Sequence, residues 1–339
     1  MIITRTPFRI SFAGGGSDLP SFYAEEPGMV ISAAIAKFMY LVVKGRFENS
    51  FRVSYSQTEL RDHAAEIQHP IVRECLHALE IERGLEIVSM ADLPAQSGMG
   101  SSSSFTVGLL AALHALRGQN ADAGKLARMA CEIEIGRLGE PIGKQDQYIA
   151  AYGGIQFIQF LPDGNVYVDP VICSTQTKRE LNRRLLLFFT GQTRDARSVL
   201  SRQNARAASN RLGLRRLCGI AREMRDVLTE GRDLNEFGRL LHEAWIVKKG
   251  LETGITNSGI DELYGRGIRA GAVGGKLLGA GGGGFLLFFC EPHKQEALRR
   301  AMAGTVEIPF AFEPQGSKII YIGEDQWSFV EAPYLTATA

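Results

Sequence analysis

The sequence predicts an α+β protein made of two domains. At 339 residues the chain is longer than one ordinary hydrophobic core supports. Segments that suggest strands and segments that suggest helices are mixed without regular βαβ alternation, which favours the α+β class. Four basic residues at 178–184 precede an apolar strand, and we place the domain boundary at this change in composition. The predicted domains are residues 1–178 and 179–339.

Local patterns predict the elements of the first domain. β-branched and aromatic residues over 2–13 end at three glycines, which is typical of a strand followed by a turn. Apolar residues between Phe105 and Leu116 recur at helical spacing, which predicts a long buried helix. The apolar stretch 30–43 is compatible with strands or a helix, and we favour strands. The other expected elements are strands at 85–90, 155–160 and 166–171 and helices at 72–83 and 122–138.

The second domain is expected to open with an apolar strand and to continue with arginine-rich helices. A glycine tract then precedes another apolar strand, and a helix and a final strand pair complete the chain. The expected ranges are strands at 185–189 and 285–289, helices at about 194–229 and 234–250, the glycine tract at 271–284 and the strand pair near 305–322.

Composition excludes several classes of partner. Lysine and arginine (38) nearly balance aspartate and glutamate (37), so the chain has no overall field for nucleic acid or an anionic membrane. The arginine run at 202–216 is expected to be a solvated helix face. The five scattered cysteines lack CxxC spacing, which indicates reduced thiols. No stretch reaches the ~20 apolar residues of a membrane helix, and Arg5 and Arg9 interrupt any signal peptide. We therefore expect a cytoplasmic protein with no nucleic-acid or membrane partner.

The most informative segment is the glycine- and serine-rich loop at 94–104. Its glycines allow the backbone to approach a ligand closely. The helix that follows offers free N–H groups and the positive end of its dipole, which together bind anions. A flexible Ser/Gly linker is the alternative, but a linker would not lie between a strand and a well-patterned helix. The segment is therefore interpreted as a phosphate-binding loop, whose serine hydroxyls can contact phosphate oxygens or Mg²⁺.

Two other nucleotide-binding patterns fail on their context. The P-loop pattern GxxxxGK[ST] is absent, because the look-alike at Lys276 has Ala270 at the upstream glycine position and is followed by Leu277. Residues 279–284 match GxGxxG formally, yet they precede a strand instead of linking a strand to a helix. A Walker-type NTPase and an NAD-binding oxidoreductase are therefore disfavoured.

Two carboxylates follow the phosphate-binding loop. Glu134 lies on a predicted helix, and Asp146 lies beyond a break rich in glycine and proline. Paired carboxylates beside a phosphate loop suit metal binding together with a base for a substrate hydroxyl. Either acid taken alone is also compatible with an exposed surface residue, and spacing does not decide between the two interpretations.

Four blocks, at residues 6–18, 94–104, 139–147 and 271–285, resemble the motifs of the GHMP kinase superfamily in the family's own order. The block at 94–104 is similar to that family's Pro-x-x-x-Gly-x-Gly-Ser-Ser nucleotide loop. The others are similar to its first motif, its catalytic-aspartate block and its C-terminal glycine motif. The resemblance implies an N-terminal domain like ribosomal protein S5 domain 2 and a ferredoxin-like C-terminal domain, with the site between them.

The resemblance also implies roles for individual residues, with ATP and Mg²⁺ as the nucleotide and the metal. Asp146 matches the acid that accepts the proton of the substrate hydroxyl, and Arg9 matches the arginine that stabilises that acid and the transferring phosphoryl group. Ser102 and Glu134 match the residues that hold the metal. The residues implied in ATP binding are Pro94, Ser97, Gly98, Met99, Gly100, Ser101, Ser102 and Ser103.

One departure bears on the substrate. Galactokinase-like members carry Gly-Glu-His-x-Asp where this chain has three glycines and a serine before Asp18, so two sugar-contacting side chains are missing. This version is similar to the branch of D-glycero-D-manno-heptose 7-phosphate kinases, as are residues 190–197 and residues 242–245 with Lys248. The resemblance implies phosphorylation of the C1 hydroxyl of that heptose phosphate. The alternative is a 1-kinase for an unphosphorylated sugar such as L-fucose or mannose.

A phosphorylated substrate needs a second anion site. Arg194 and Arg197 are expected at the start of a helix, where side chains and N–H groups can both meet an anion. The expected partners are a small sugar phosphate and ATP, and the sequence is compatible with a homodimer. The residues expected to contact the substrate are Gly15, Gly16, Ser17, Asp18, Lys144, Arg194, Gly281 and Gly282.

Overall fold

The computed structural model describes residues 1–191, 197–206 and 209–323, which form two β-sheets covered by helices. Strands and helices do not alternate as in a βαβ protein, and the predicted α+β class is confirmed. The strands are β1 Ile2–Ala13, β2 Gly28–Gly45, β3 Phe51–Ser54, β4 Thr58–Arg61, β5 Leu85–Ala91, β6 Ile155–Phe160, β7 Val166–Pro170, β8 Leu185–Phe189, β9 Gly274–Leu277, β10 Phe285–Phe289, β11 Val306–Glu307 and β12 Lys318–Ile322. The helices are α1 Pro20–Tyr23, α2 Pro70–Ala78, α3 Ser101–Leu116, α4 Ala123–Cys131, α5 Gln145–Tyr152, α6 Thr175–Arg184, α7 Arg197–Ala205, α8 Arg211–Thr229, α9 Leu234–Lys249, α10 Ser258–Arg269 and α11 Gln295–Ala301.

The long strand β2 organises the first sheet. Strand β1 pairs antiparallel along one side of β2, while β5 and β6 share its other side. The order is β12-β1-β2-β5-β3-β4, with β6 paired to the first part of β2 and β7 paired to β6. The apolar stretch 30–43, for which strands were favoured, lies wholly within β2.

Helix α3 packs across β1 and β2 and carries its apolar repeat into the core. The closest approach is at Gly108, where an added Cβ would lie 2.6 Å from the Thr6 Oγ1 atom. The Thr4 hydroxyl donates to the Gly108 carbonyl at 3.0 Å. This contact fixes α3 against β1. The Arg9 amide also donates to the Met99 carbonyl at 3.1 Å, so the first turn of α3 is held beside β1.

The second sheet is antiparallel throughout, in the order β11-β8-β10-β9. Strand β9 lies inside the glycine tract and was not predicted. An added Cβ at Gly274 would lie 2.0 Å from the Gly238 carbonyl oxygen, so glycine at 274 is what allows α9 to pack on this strand. The ring of Phe12 on β1 meets the ring of Phe237 on α9 edge to face at 5.1 Å, which joins both sheets into one core.

Three helix predictions differ from the structure in extent or in type. The helix expected at 72–83 ends at Ala78, because Glu80 takes a left-handed backbone conformation with φ of 51°. The helix expected at about 194–229 is two helices in the described residues, α7 and α8. The helix expected at 122–138 changes after α4 to a π-helical segment at Glu132–Arg137.

The predicted strand pair near 305–322 is wrong. Strand β11 pairs with β8 in the second sheet, whereas β12 pairs with β1 in the first sheet. The last described strand of the chain therefore returns to the sheet in which the chain began. The proposed boundary between 178 and 179 falls within α6, and it stays a proposal.

The arginine run of the second half is paired with carboxylates. Arg202 and Arg206 flank the buried carboxylate of Glu252. Three further arginines of this run pair with glutamates on other segments: Arg211 with Glu25, Arg215 with Glu26, and Arg216 with Glu243. Arg216 also pairs with Glu223 on its own helix. These ion pairs tie α7 and α8 to their neighbours, in place of an open basic face. None of the helices in the described parts of the chain is both long and apolar enough to cross a membrane.

Candidate active site

A cleft of about 410 Å³ opens between the two sheets. Its walls come from the end of β1, the loop before α3, the start of α5, α9 and the glycine tract. The blocks that the sequence analysis singled out therefore meet at one place, although they lie far apart along the chain. The predicted site residues that line the cleft are Arg9, Gly15, Gly16, Asp18, Gly98, Gly100, Ser101, Ser102, Ser103, Asp146 and Gly281.

The phosphate-binding loop ends at the N-terminus of α3. Gly100 is the N-cap residue and has a left-handed backbone with φ of 76°. The amides of the first helical turn have no acceptor within the helix, and the serines of that turn line the cleft, so this end of the helix suits an anion. An added Cβ at Gly98 would lie 2.8 Å from the Leu278 carbonyl oxygen, which shows how closely the loop meets the glycine tract.

Three predicted nucleotide-binding residues shape this loop without lining the cleft. Ser97 is fully buried, and its hydroxyl donates to the Pro94 carbonyl at 2.7 Å. Met99 is buried in the core, and its carbonyl accepts the Arg9 amide. The structure thus gives Pro94, Ser97 and Met99 supporting contacts within the loop.

Arg9 and Asp146, which both line the cleft, form a bidentate ion pair. Arg9 Nε donates to Asp146 Oδ1 and Arg9 Nη2 donates to Asp146 Oδ2, both at 2.7 Å. Arg9 Nη1 donates to the Gly98 carbonyl at 2.6 Å. The guanidinium group is therefore held on three sides, and it joins the phosphate-binding loop to the carboxylate. Such pairs fix the orientation of both groups.

Asp18 is buried and ends the glycine turn, which is formed by residues 14–18. Its Oδ1 accepts the Gly16 amide at 2.8 Å, and its Oδ2 accepts the Gln145 amide at 3.2 Å. Burial raises the pKa of Asp18, and the nearby Asp146 carboxylate adds to this effect. An added Cβ at Gly143 would lie 2.0 Å from Asp18 Oδ2, so only glycine fits at 143.

Glu134 lies behind the first turn of α3 and is fully buried. Its carboxylate accepts hydrogen bonds from Ser102 at 2.5 Å, Ser103 at 2.9 Å and the Gln147 side-chain amide at 2.7 Å. Burial raises the pKa of Glu134, while these hydrogen bonds act in the opposite direction. A carboxylate in contact with a cleft-lining hydroxyl is an all-oxygen donor set of the kind that suits Mg²⁺. The described residues hold no cluster of three acidic, histidine or cysteine side chains, so a metal here would draw its further ligands from phosphate oxygens or water.

The remaining predicted substrate residues are placed less directly. Ser17 is fully buried, and its hydroxyl donates to the Gly14 carbonyl at 2.8 Å, which stabilises the turn. Lys144 lies over the ring of Tyr23 and does not line the cleft. The Gly282 amide donates to the carbonyl of residue 255. Arg194 lies outside the described residues.

Two charged residues of the cleft were missed by the sequence analysis. Lys276 is buried, and its ammonium group donates to the carbonyls of Ser11 at 2.7 Å and Phe12 at 2.8 Å. Burial holds the pKa of Lys276 well below its ordinary value. Glu140 lies at the cleft rim and pairs with Arg197 at 2.8 Å. Both residues lie inside blocks that resemble the family's motifs, Glu140 in 139–147 and Lys276 in 271–285, but neither side chain was given a role there.

The chain is similar to known proteins over most of its length. The family model for the GHMP kinases N terminal domain matches residues 49–154, and the model for the GHMP kinases C terminal domain matches residues 222–307. A D-glycero-alpha-D-manno-heptose 7-phosphate kinase of Campylobacter jejuni is 28% identical over 94% of this chain and 98% of its own length. A bifunctional fucokinase/GDP-fucose pyrophosphorylase of Arabidopsis thaliana is 29% identical over 87% of this chain, which spans 30% of that protein.

A solved structure is similar over nearly the whole chain. The crystal structure of a D-glycero-D-manno-heptose 1-phosphate kinase from Bacteroides thetaiotaomicron has a TM-score of 0.80 at 25% identity, and covers 95% of this chain and 100% of its own. The two family models together span more than half of the residues. The chain therefore belongs to the GHMP kinases, with the two-domain α+β fold of that family, and it is an ATP-dependent kinase.

Proposed function

We propose that the chain is a sugar 1-kinase that transfers the γ-phosphoryl group of ATP to the C1 hydroxyl of D-glycero-D-manno-heptose 7-phosphate. The product is the 1,7-bisphosphate, a precursor for activated (nucleotide) heptose. The observation that carries the proposal is the pairing of Arg9 with Asp146 beside the N-terminus of α3 in one cleft. This arrangement puts a carboxylate base next to a phosphate-binding turn.

The proposed reaction uses these residues in fixed positions. Asp146 accepts the proton of the C1 hydroxyl, whose oxygen bonds to the γ-phosphorus while the bond from that phosphorus to the β-phosphate oxygen breaks. Arg9 orients Asp146 and carries positive charge beside the transferring group. The amides and hydroxyls at the start of α3 hold the nucleotide phosphates. Ser102 and Glu134 would hold Mg²⁺, which offsets negative charge on the phosphates when bound.

The choice of a phosphorylated heptose rests on two supports. One is the Campylobacter jejuni heptose 7-phosphate kinase, which matches this chain nearly from end to end. The other is Arg197, which lines the cleft next to Glu140 and can exchange this partner for a substrate phosphate. Gly15 and Gly16, which line the cleft without side chains, are compatible with a sugar larger than galactose.

A second candidate is a 1-kinase for a free sugar such as L-fucose or mannose. The similarity to the Arabidopsis thaliana fucokinase favours it, because 87% of the present chain is matched. In that case Arg197 would stay paired with Glu140 and would not meet a substrate phosphate.

The proposed setting is the cytoplasm, with ATP and a small sugar phosphate as partners. All five cysteines are unpaired in the structure, as expected of a protein in a reducing compartment. A homodimer remains compatible with this proposal.

The test is an ADP-release assay with Mg-ATP and a panel of acceptors. The panel contains D-glycero-D-manno-heptose 7-phosphate, mannose 6-phosphate, mannose, L-fucose and galactose. We expect kcat/KM to be highest for the heptose phosphate by at least ~10-fold, since a charged phosphate contact is worth about 1.5–3 kcal/mol. Preference for a free sugar would select the second candidate, and no acceptor-dependent ADP release would refute both.

A further inference from the structure

Lys248 is a buried lysine of the cleft to which the proposed reaction gives no part. It lies in the last turn of α9, and the side chain lines the cleft with 8% of its surface exposed. Its ammonium group donates to the Gly279 carbonyl. An ammonium group has three N–H donors. Among the hydrogen bonds found within the described residues, this carbonyl is the one acceptor for Lys248, so donors remain for a ligand.

Lys248 lines the same cleft as the paired Arg9 and Asp146. Gly279 packs directly on the phosphate-binding loop, because an added Cβ there would lie 2.4 Å from the Gly98 Cα atom. The Gly98 carbonyl in turn accepts the hydrogen bond from Arg9 Nη1. Lys248 and Arg9 therefore bind two glycine segments that touch each other, and both side chains line the same space.

The charges that face Lys248 come from four other elements of the cleft. They are Arg9 on β1, Asp18 in the glycine turn, Asp146 on α5 and Lys276 on β9. Arg9 and Asp146 are paired with each other, and Lys276 is fixed on two carbonyls. Burial, and then the Arg9 charge, lower the pKa of Lys248 to about 8, whereas Asp18 and Asp146 act to raise it. An anion bound in this cleft would therefore stabilise the protonated form of Lys248.

We infer that Lys248 is a catalytic residue that donates hydrogen bonds to the phosphoryl group during its transfer. This inference rests on the proposed function, and it makes Lys248 a second cation that acts beside Arg9. Negative charge spreads over the three equatorial oxygens of the transferring group, and fixed donors there lower the barrier. Lys248 keeps its proton during the transfer, because the proton of the C1 hydroxyl goes to Asp146. The phosphorus forms a bond to the C1 oxygen and loses its bond to the β-phosphate oxygen.

The first test compares Lys248→Met with a matched control, Lys249→Met. Lys249 is the next residue of the same helix, but it faces away and pairs with Asp261 at 3.1 Å. With the best acceptor of the panel, we expect Lys248→Met to lower kcat by roughly 10²-fold, the effect of losing one such donor, with KM for ATP within threefold. Lys249→Met should keep kcat within twofold. A Lys248→Met enzyme with kcat within threefold of the parent would overturn the inference.

The second test uses pH and the variant Lys248→Arg, which keeps the charge. Lys248 is charged below its pKa of about 8 and loses its proton above it, so kcat/KM of the parent should fall as pH rises through 8 to 9. An arginine keeps its proton throughout this range, so Lys248→Arg should retain activity to higher pH than the parent. The same alkaline fall in Lys248→Arg would contradict the assignment.

The third test needs no sugar, and so separates this inference from the substrate proposal. Calorimetry measures binding of Mg-ADP alone and of Mg-ADP with aluminium fluoride, a mimic of the phosphoryl group in transfer. Lys248→Met should bind ADP within twofold of the parent but bind the fluoride complex at least ~10-fold more weakly. Equal losses for both ligands, or no loss for either, would refute a role for Lys248 even if no acceptor in the panel were phosphorylated.

Discussion

Replacing Asp146 by asparagine tests the proposed base with the least change in shape. The carboxylate accepts two hydrogen bonds of 2.7 Å from Arg9, whereas the asparagine oxygen can accept only one of them. Loss of one hydrogen bond to a charged group costs about 2 kcal/mol, and for a chain of this length we expect Tm to fall by about 3 °C. Loss of the base should lower kcat by at least ~10²-fold.

The two effects can be measured separately. ADP release at 25 °C reports kcat, thermal unfolding reports Tm, and calorimetry with Mg-ADP reports the nucleotide site, where we expect Kd within twofold of the parent. The control is Asp169→Asn, an exposed aspartate on β7 that contacts Gln159. Its kcat should stay within twofold. A folded Asp146→Asn enzyme with kcat within threefold of the parent would refute the assignment of Asp146 as the base.

Three further predictions concern the metal, the glycine at the site and the substrate phosphate. Glu134→Gln keeps the side-chain shape but removes the charge, so half-maximal activity should need at least ~10-fold more Mg²⁺; an unchanged Mg²⁺ titration would exclude Glu134 as a ligand. Gly143→Ala places a Cβ 2.0 Å from Asp18 Oδ2 and should raise KM for the acceptor at least ~10-fold with KM for ATP within twofold, as initial rates will show. Arg197→Gln should raise KM for the sugar phosphate by about 10-fold and leave KM for a free sugar unchanged; equal effects on both would remove Arg197 from the phosphate site.

Elements with their own local pattern could be predicted from the sequence. Strand β1 carries β-branched and aromatic residues up to its glycines, and α3 carries an apolar repeat behind the serines, so both were assigned. Strand β9 could not be assigned from the sequence, because glycines such as those at 274 and 275 do not favour strands. This segment is a strand because it pairs with β10. The partners of β11 and β12 were wrong for a related reason. Pairing across a sheet depends on the fold of the whole chain, not on neighbouring sequence.

The candidate site also contains residues that could be predicted from the sequence and residues that could not. Arg9 and Asp146 were singled out through motifs, and the structure brings them into direct contact. Glu134 was expected on a helix, but its contact with Ser102 behind the first turn of α3 could not be read from spacing. Lys276 and Glu140 were missed because a single charged residue in a chain of this composition is usually a surface residue. Burial distinguishes Lys276, and the contact with Arg197 distinguishes Glu140. Neither is visible in a sequence.

In the proposed reaction, this cleft phosphorylates the C1 hydroxyl of a heptose 7-phosphate. The most direct measurement is ³¹P NMR of the purified product formed from Mg-ATP and D-glycero-D-manno-heptose 7-phosphate. We predict two phosphate resonances in equal amounts, one unchanged from the substrate and one new resonance coupled to the anomeric proton. A new phosphate coupled to any other sugar proton, or recovery of the substrate with its single resonance, would contradict the claim.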